Sequence, residues 1–271
     1  MPTARTHSAF SMEPERVQRR AYSLIELLVV MSIVVLLTGL LLPTLASVRD
    51  AANRVISKSN QRNIGQAISL FADSHNELPK SEAILESPIK AGELMRAWTV
   101  PEDGFNMKYA SWLSKGFDGL GRLFQYQFID EPEVFYSPGH NGAHRWAEYE
   151  QDWQNLRQVW TARVGGHDIN PLRAIYTNYH YAGHVYWDPS TGGQRAQQRS
   201  FADPYNSVLL SDGMRRSSDL NFEGGLNVLR MDLSVEWLED WQLVTALPRD
   251  GQDAIDSGGH AATIWDIFRR Q

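Results

Sequence analysis

One acidic residue, Glu26, lies in an otherwise uncharged apolar stretch near the N-terminus. From Ala21 to Val48 it is the only formally charged side chain. A helix of about 20 apolar residues spans the hydrocarbon core of a bilayer, which is about 30 Å thick. A carboxylate at the centre of such a helix costs about 2.5–3.5 kcal/mol, so one kept near its end calls for a charged partner. We therefore expect Glu26 to pair with a positive charge.

The residues around Glu26 resemble the N-terminal signal of type IV pilins and type II secretion pseudopilins. The matching stretch is Arg19-Arg20-Ala21-Tyr22-Ser23-Leu24-Ile25-Glu26-Leu27-Leu28. In that family a basic leader ends in a small residue, and the mature chain begins with an aromatic residue. The resemblance implies that a prepilin peptidase cleaves between Ala21 and Tyr22 and methylates the new amine of Tyr22. Ala21 replaces the family's usual glycine, and Tyr22 replaces its usual phenylalanine.

The resemblance also implies a role for Glu26 in assembly. After cleavage, the amine of Tyr22 and the carboxylate of Glu26 lie one helical turn apart. In a staggered filament the carboxylate of one subunit meets the amine of its neighbour, in apolar surroundings where an unpaired charge is costly. In the alternative interpretation, Glu26 only complements the positive end of its own helix.

The apolar stretch has two further interpretations. In the first, it is an ordinary secretory signal that is cleaved near Ala46-Ser47. In the second, it is a signal anchor that is not processed. Lys and Arg counts on its two sides are equal and predict no orientation. The pilin resemblance implies a single-pass inner-membrane protein with a cytoplasmic leader and a periplasmic head.

Composition excludes several functions. The chain has 271 residues, a net charge of -6 and a pI near 5.8, so it lacks the basic excess that nucleic-acid binding requires. It contains no cysteine, which removes disulfides, zinc-thiolate sites and a cysteine nucleophile. No nucleophile elbow, phosphate loop or zinc-protease helix occurs either, and we predict that the protein is not an enzyme.

We predict three regions: a leader over residues 1–21, a long helix over 22–75 and a head over 76–271. The membrane span covers about 22–47, and Pro43 should kink the helix within it. An apolar period continues over 48–75, and Asn76-Glu77-Leu78-Pro79 ends the helix. The residues that carry the period beyond Pro43 are Leu45, Val48, Ala52, Val55, Ile56, Ile64, Ala67, Ile68 and Phe71.

The head sequence predicts an α+β fold in which an antiparallel sheet packs on the second half of the long helix. Residues 120–138 predict a short helix, a turn and a strand. A row of apolar residues predicts a core helix: Trp146, Tyr149, Trp153, Leu156 and Trp160. Residues 175–181, 184–187 and 207–212 predict strands, and 226–238 a hairpin.

Two head segments resemble the pseudopilin-like proteins of planctomycete and verrucomicrobial bacteria. One is 120–138, where Ser137 replaces a cysteine that is frequent in that family. The other is 207–238, where Asn221, Leu233 and Ser234 replace the family's His, Gly and His. The hairpin turn therefore lacks its usual glycine.

Metal sites have weak support in the sequence. Some pseudopilins bind calcium near the C-terminus, and the oxygen ligands available here are Asp212, Asp219, Glu223 and Asp232. We predict no other cofactor. His180 and His184 stand four apart, but on a strand that spacing is about 13 Å, too far for both to hold one ion.

The sequence as a whole is best interpreted as a structural pseudopilin that polymerises with other pseudopilin subunits into a periplasmic fibre. A first alternative is a tethered ligand-binding or glycan-binding head with a flat patch formed by several tryptophans: Trp98, Trp112, Trp146, Trp153 and Trp187. A second is a membrane-anchored enzyme, whose catalytic groups the linear sequence does not show.

Overall fold

A computed structural model describes residues 23–81, 95–98, 116–162, 173–183, 185–187, 196–199, 207–213, 220–222 and 224–239. Its helices are α1 (Leu24–His75), α2 (Gly121–Gln125), a 3-10 helix (Pro132–Phe135) and α3 (Trp146–Ala162). Its strands are β1 (Arg96–Trp98), β2 (Ile175–Tyr176), β3 (Tyr179–Tyr181), β4 (Val185–Trp187), β5 (Ala196–Gln198), β6 (Val208–Asp212), β7 (Leu226–Arg230) and β8 (Val235–Leu238).

The main sheet is antiparallel and has the strand order β3-β6-β7-β8. Tyr179 pairs with Asp212 between β3 and β6, and Val228 pairs with both Ser211 of β6 and Glu236 of β8. Two smaller antiparallel pairs are β1–β2 and β4–β5. A long helix followed by antiparallel sheets confirms the predicted α+β class.

The chain divides into two units, Met1–Val48 and Arg49–Gln271, and the boundary lies within α1. In the first unit the described part of α1 is exposed along its whole length. Among the described helices, α1 is the one long and apolar enough to cross a membrane. Its 52 residues span about 78 Å at 1.5 Å per residue. Pro43 lies inside the helix, which continues across it.

The part of α1 in the second unit packs on the sheet, although not with every residue that the apolar period predicted. Ile64, Ala67, Ile68 and Phe71 are buried as expected. Ala52, Val55 and Ile56 are exposed, however, and the prediction that they face the core is wrong. Buried polar residues, Ser57 and Gln61, take the core-facing positions instead. The reason is a buried carboxylate on β6, described below, which requires hydrogen-bond donors on this face of the helix.

Gly65 allows α1 to approach the hairpin of β7 and β8 closely. A Cβ at this position would lie 3.0 Å from Cδ2 of Leu229 and 3.3 Å from Cδ2 of Leu233. The glycine therefore costs about 1 kcal/mol in helix propensity but permits this close packing. The helix ends at His75, and Asn76 follows with a positive φ of 57°. A residue in this conformation commonly terminates a helix, in agreement with the predicted stop.

Residues 120–138 differ in part from the prediction. The short helix is present as α2, but the segment predicted to be a strand forms the 3-10 helix Pro132–Phe135. Pro132 begins this helix, where its fixed φ is suitable and no N–H is needed. The apolar residues that resembled a strand still serve the core, since Phe135 and Tyr136 are buried.

The predicted aromatic helix is confirmed as α3, and its described apolar face enters the core. Tyr149, Trp153 and Leu156 are buried, and Trp146 is half-buried. The Trp153 ring packs edge-on against Phe124, with centroids 5.0 Å apart, and its Nε1 donates to the Tyr136 hydroxyl at 2.9 Å. Trp98 is buried as well. Neither Trp98 nor Trp153 is therefore available to an exposed aromatic patch.

The hairpin of β7 and β8 is confirmed. Its turn places a leucine, instead of a glycine, in a left-handed backbone conformation. Leu233, for which the sequence resemblance predicted a glycine, has a φ of 66°. Its N–H donates to the Arg230 carbonyl, and the Arg230 N–H donates to the Ser234 carbonyl. This is the three-residue hairpin loop in which the last loop residue is left-handed, a place that favours glycine.

Candidate functional site

Glu26 helps to begin α1 through a capping box. Its Oε2 accepts a hydrogen bond of 2.8 Å from the Ser23 N–H, and the Ser23 Oγ accepts one of 3.3 Å from the Ile25 N–H. Serine followed by glutamate three residues later is the usual sequence of this motif, which satisfies amides that the helix leaves unpaired. Within one chain, Glu26 therefore acts on its own helix end, and its role between subunits stays a prediction. Ala21 and Tyr22 lie outside the described residues.

Hydroxyl groups in the first half of α1 are satisfied by the helix itself. The Ser32 Oγ donates to the Leu28 carbonyl at 2.8 Å, and the Thr38 Oγ1 donates to the Val34 carbonyl at 2.9 Å. Thr44 and Ser47 donate to carbonyls three residues earlier. Such back-bonding hides polar groups that hydrocarbon cannot satisfy. Glu26 remains the only ionisable side chain between Leu24 and Val48.

A second site lies in the head, around the fully buried carboxylate of Asp212 at the end of β6. Its Oδ1 accepts hydrogen bonds from the Ser57 Oγ at 2.9 Å and from the Gln61 Nε2 at 3.0 Å. A third donor to Oδ1 is the Asn221 Nδ2 at 2.9 Å, and the Asn227 N–H donates to Oδ2 at 2.6 Å. The carboxylate therefore joins α1, β6, β7 and the segment 220–222.

The hydrogen-bond network extends in two directions from Asp212. The Ser57 Oγ lies 3.0 Å from the Tyr179 hydroxyl on β3. The Asn221 Oδ1 lies 2.7 Å from Nδ1 of His140, whose Nε2 is 2.5 Å from the Ala143 carbonyl oxygen. All of these side chains are buried, with His140 the most exposed of the named ones at 5%. We call these residues the Asp212 cluster: Ser57, Gln61, His140, Tyr179, Asp212, Asn221 and Asn227.

Burial controls ionisation in the Asp212 cluster. Desolvation raises the pKa of the Asp212 carboxyl above its ordinary value, and hydrogen bonds from Asn227, Asn221 and Ser57 oppose that effect. Desolvation also raises the pKa of the Tyr179 hydroxyl, with a contribution from the nearby Asp212 charge. Tyr179 is therefore a neutral hydroxyl at physiological pH.

The predicted calcium ligands are not all together. Asp212 is enclosed by the donors described above, whereas Asp232 is exposed in the hairpin turn and accepts from the Ser234 N–H at 2.9 Å. Hydrogen bonds from Ser234 lower the pKa of the Asp232 carboxyl. Asp219 and Glu223 lie outside the described residues. Within the described ranges no group of three or more His, Asp or Glu side chains is arranged to hold a metal ion.

His180 is fully buried on β3, opposite Ser211 of β6. His184 lies outside the described residues, so the predicted distance between His180 and His184 stays a prediction.

The Asp212 cluster is buried, so a substrate has no access to its polar groups in this conformation. The hydrogen bonds of the Asp212 cluster can stabilise a buried carboxylate, and they fix the position of α1 on the sheet.

The sequence contained one usable signal for this cluster. Ser57 and Gln61 are four residues apart, on the helix face that continues through Ile64 and Ile68. Two polar residues in line with an apolar stripe indicate a polar partner opposite them. His140 and Asn227 had no comparable signal, because their partners come from distant segments.

Comparisons with protein-family models, with curated proteins and with solved structures find no match to this chain.

Proposed function

We propose that this protein is a pseudopilin, a structural subunit that assembles through its N-terminal helix into a periplasmic fibre of a type II secretion-like or type IV pilus-like machine. The observation that carries the proposal is the first half of α1. From Leu24 to Val48 its apolar side chains are exposed, and the segment has one charge. Such a surface requires apolar surroundings, which a bilayer provides before assembly and neighbouring helices provide afterwards.

The residues before this segment support the same function. Arg19-Arg20-Ala21-Tyr22 resembles the processing site of the family, and Ser23, the second residue after the proposed cleavage point, caps the start of the helix. In this proposal a prepilin peptidase removes the leader in the inner membrane and methylates Tyr22. The head is then periplasmic, and the partners are other pseudopilin subunits.

The N-terminus of the mature protein tests the proposal. Mass spectrometry of the chain made with a prepilin peptidase should find N-methylated Tyr22 as the first residue, and without the peptidase the leader should remain. Ala21→Gly, which restores the family residue, should still be cleaved, whereas Ala21→Leu should block cleavage because the site requires a small residue. A first residue after Ser47, or an unprocessed Met1 in the presence of peptidase, contradicts the proposal.

The charge of Glu26 can be separated from its capping hydrogen bond. Glu26→Gln keeps an oxygen that can accept from the Ser23 N–H but removes the charge. Ser23→Ala is the matched control, since it removes the hydroxyl of the capping box and keeps the charge. If Glu26 pairs with a neighbouring amine, Glu26→Gln should insert normally and reduce fibre assembly at least tenfold, and Ser23→Ala should assemble.

Fibre yield after cross-linking, with membrane insertion measured in the same cells, provides the readout. Normal assembly by Glu26→Gln would show that capping alone is the role of this residue. Loss of assembly in Ser23→Ala with an intact charge would lead to the same conclusion.

A further inference from the structure

The contacts of the His140 ring specify its protonation. Nδ1 lies 2.7 Å from the amide oxygen of Asn221, and Nε2 lies 2.5 Å from the Ala143 carbonyl oxygen. Oxygens of this kind only accept hydrogen bonds. Each contact is therefore a hydrogen bond only if the ring nitrogen carries a proton. A ring with a proton on both nitrogens is an imidazolium cation, and this one is buried.

The orientation of Asn221 depends in turn on Asp212. The Asn221 amide nitrogen donates to Asp212 Oδ1 at 2.9 Å, so its oxygen is the atom left to face His140. The other contacts of the carboxylate are also donors: Ser57, Gln61 and the Asn227 N–H. Burial raises the pKa of this carboxyl, but the four donors favour its ionised form, which accepts at both oxygens and donates at neither.

Reversal of the Asn221 amide would require one proton to move. The amide oxygen would then face Asp212 and the amide nitrogen would face His140, so Asp212 must be protonated and His140 neutral. A proton on Asp212 Oδ1 would have to share this oxygen with the donor groups of Ser57 and Gln61. The ionic arrangement avoids this conflict.

We propose that His140, Asn221 and Asp212 form a buried ionic relay in which an amide joins an imidazolium to a carboxylate, and that this relay ties the segment 137–144 to α1 and the sheet. The relay has no net charge, which explains how a carboxylate without a direct cationic partner in the described residues is kept in the core. This inference does not depend on the proposed assembly function.

The other groups near the relay are compatible with this charge distribution. From α1 it meets Ser57 and Gln61, which are neutral, and from β7 it meets Asn227. Of the titratable residues on β3, the one that contacts this network is Tyr179, whose hydroxyl is neutral at physiological pH. One turn before Ser57, Arg54 places its guanidinium 4.3 Å from the centre of the Trp237 ring.

Nitrogen NMR of the histidine rings tests the relay in the full chain in detergent micelles. The sample is labelled with 15N in its eight histidines and studied at pH 7.5, where an ordinary imidazole is largely neutral. We expect one ring with a slowly exchanging proton on each nitrogen. His140→Gln should remove that signal, and Asp212→Asn should reduce the His140 ring to one N–H.

His144→Gln is the matched control, because His144 lies in the same segment and bonds the Tyr149 hydroxyl instead of the relay. This variant should keep the doubly protonated ring. A wild-type sample without such a ring overturns the proposal, whether or not the variants fold. Persistence of the signal in His140→Gln, or of both protons on His140 in Asp212→Asn, overturns it as well.

Discussion

The backbone of Leu233 is strained at the tip of the β7–β8 hairpin. Its φ of 66° lies in the left-handed region, where a side chain with a Cβ costs about 1–2 kcal/mol. The same side chain packs near Gly65 of α1, so part of the cost is offset by contact with the helix. A left-handed turn position that favours glycine is therefore occupied by leucine, and packing of its side chain against α1 compensates for the backbone strain.

Two substitutions at Leu233 should separate these effects. Leu233→Ala and Leu233→Gly remove the same packing, but only glycine relieves the backbone. We expect the glycine variant to be more stable than the alanine variant by about 1 kcal/mol in urea unfolding. Ser234 is the matched control: it is the next residue and its φ is not positive, so Ser234→Ala should be at least as stable as Ser234→Gly. Equal stability of the two Leu233 variants would contradict a strained turn.

Single residues also show the limit of inference from sequence around Asp212. Its position at the end of a predicted strand was correct, and its selection as a possible ligand came from its charge alone. Its actual partners are separated from it by up to 155 residues along the chain. No local pattern encodes such contacts, because they depend on how α1 is placed on the sheet.

Among the elements, α1 combines two surfaces that its sequence distinguishes only in part. Its end at His75 was predicted correctly, because Asn76 lies in a local stop signal, and its start at Leu24 lies two residues after the predicted one. The capping box of Ser23 and Glu26 is a local signal that the prediction did not use. Val55 and Ile56 fit an apolar period and yet are exposed. Ser57 and Gln61, in contrast, are polar and yet buried, because they donate hydrogen bonds to Asp212. Likewise, the apolar residues around Phe135 did not reveal whether the chain is extended or a 3-10 helix.

Ser57 should be the polar residue of α1 on which packing against the sheet most depends. Ser57→Ala removes a donor from Asp212 and a partner from the Tyr179 hydroxyl, both of which are buried. A buried group left without its hydrogen bond costs about 1–3 kcal/mol, so we expect a loss in this range. Ser59→Ala, on the exposed face of the same helix, should change stability by less than about 0.5 kcal/mol.

Urea unfolding followed by tryptophan fluorescence measures both serine variants. Hydrogen exchange adds a local readout, because Ser57→Ala should increase exchange in α1 around Ile64 and Ile68 more than in α3. Equal stability of the Ser57 and Ser59 variants would show that the cluster does not hold the helix.

The whole molecule consists of parts that require different surroundings. The described core residues, from Ser57 to Val235, belong to the unit Arg49–Gln271, and none belongs to the unit before Val48. Composition predicted this contrast, since a mean hydropathy of -0.39 coexists with one long apolar segment. The arrangement of the sheet was less accessible, because β3 and β6 are joined only through pairing between distant segments.

We predict that removal of residues 1–48 makes the chain soluble without loss of its fold. The full chain should remain with membranes during alkaline carbonate extraction, because the segment from Leu24 to Val48 buries its apolar surface there. A chain that begins at Arg49 should stay in the aqueous fraction and unfold cooperatively, since it keeps the described core and the Asp212 cluster. Release of the full chain by carbonate would contradict a membrane span. Aggregation of the shorter chain, or non-cooperative unfolding, would show that the fold of the head depends on the first half of α1.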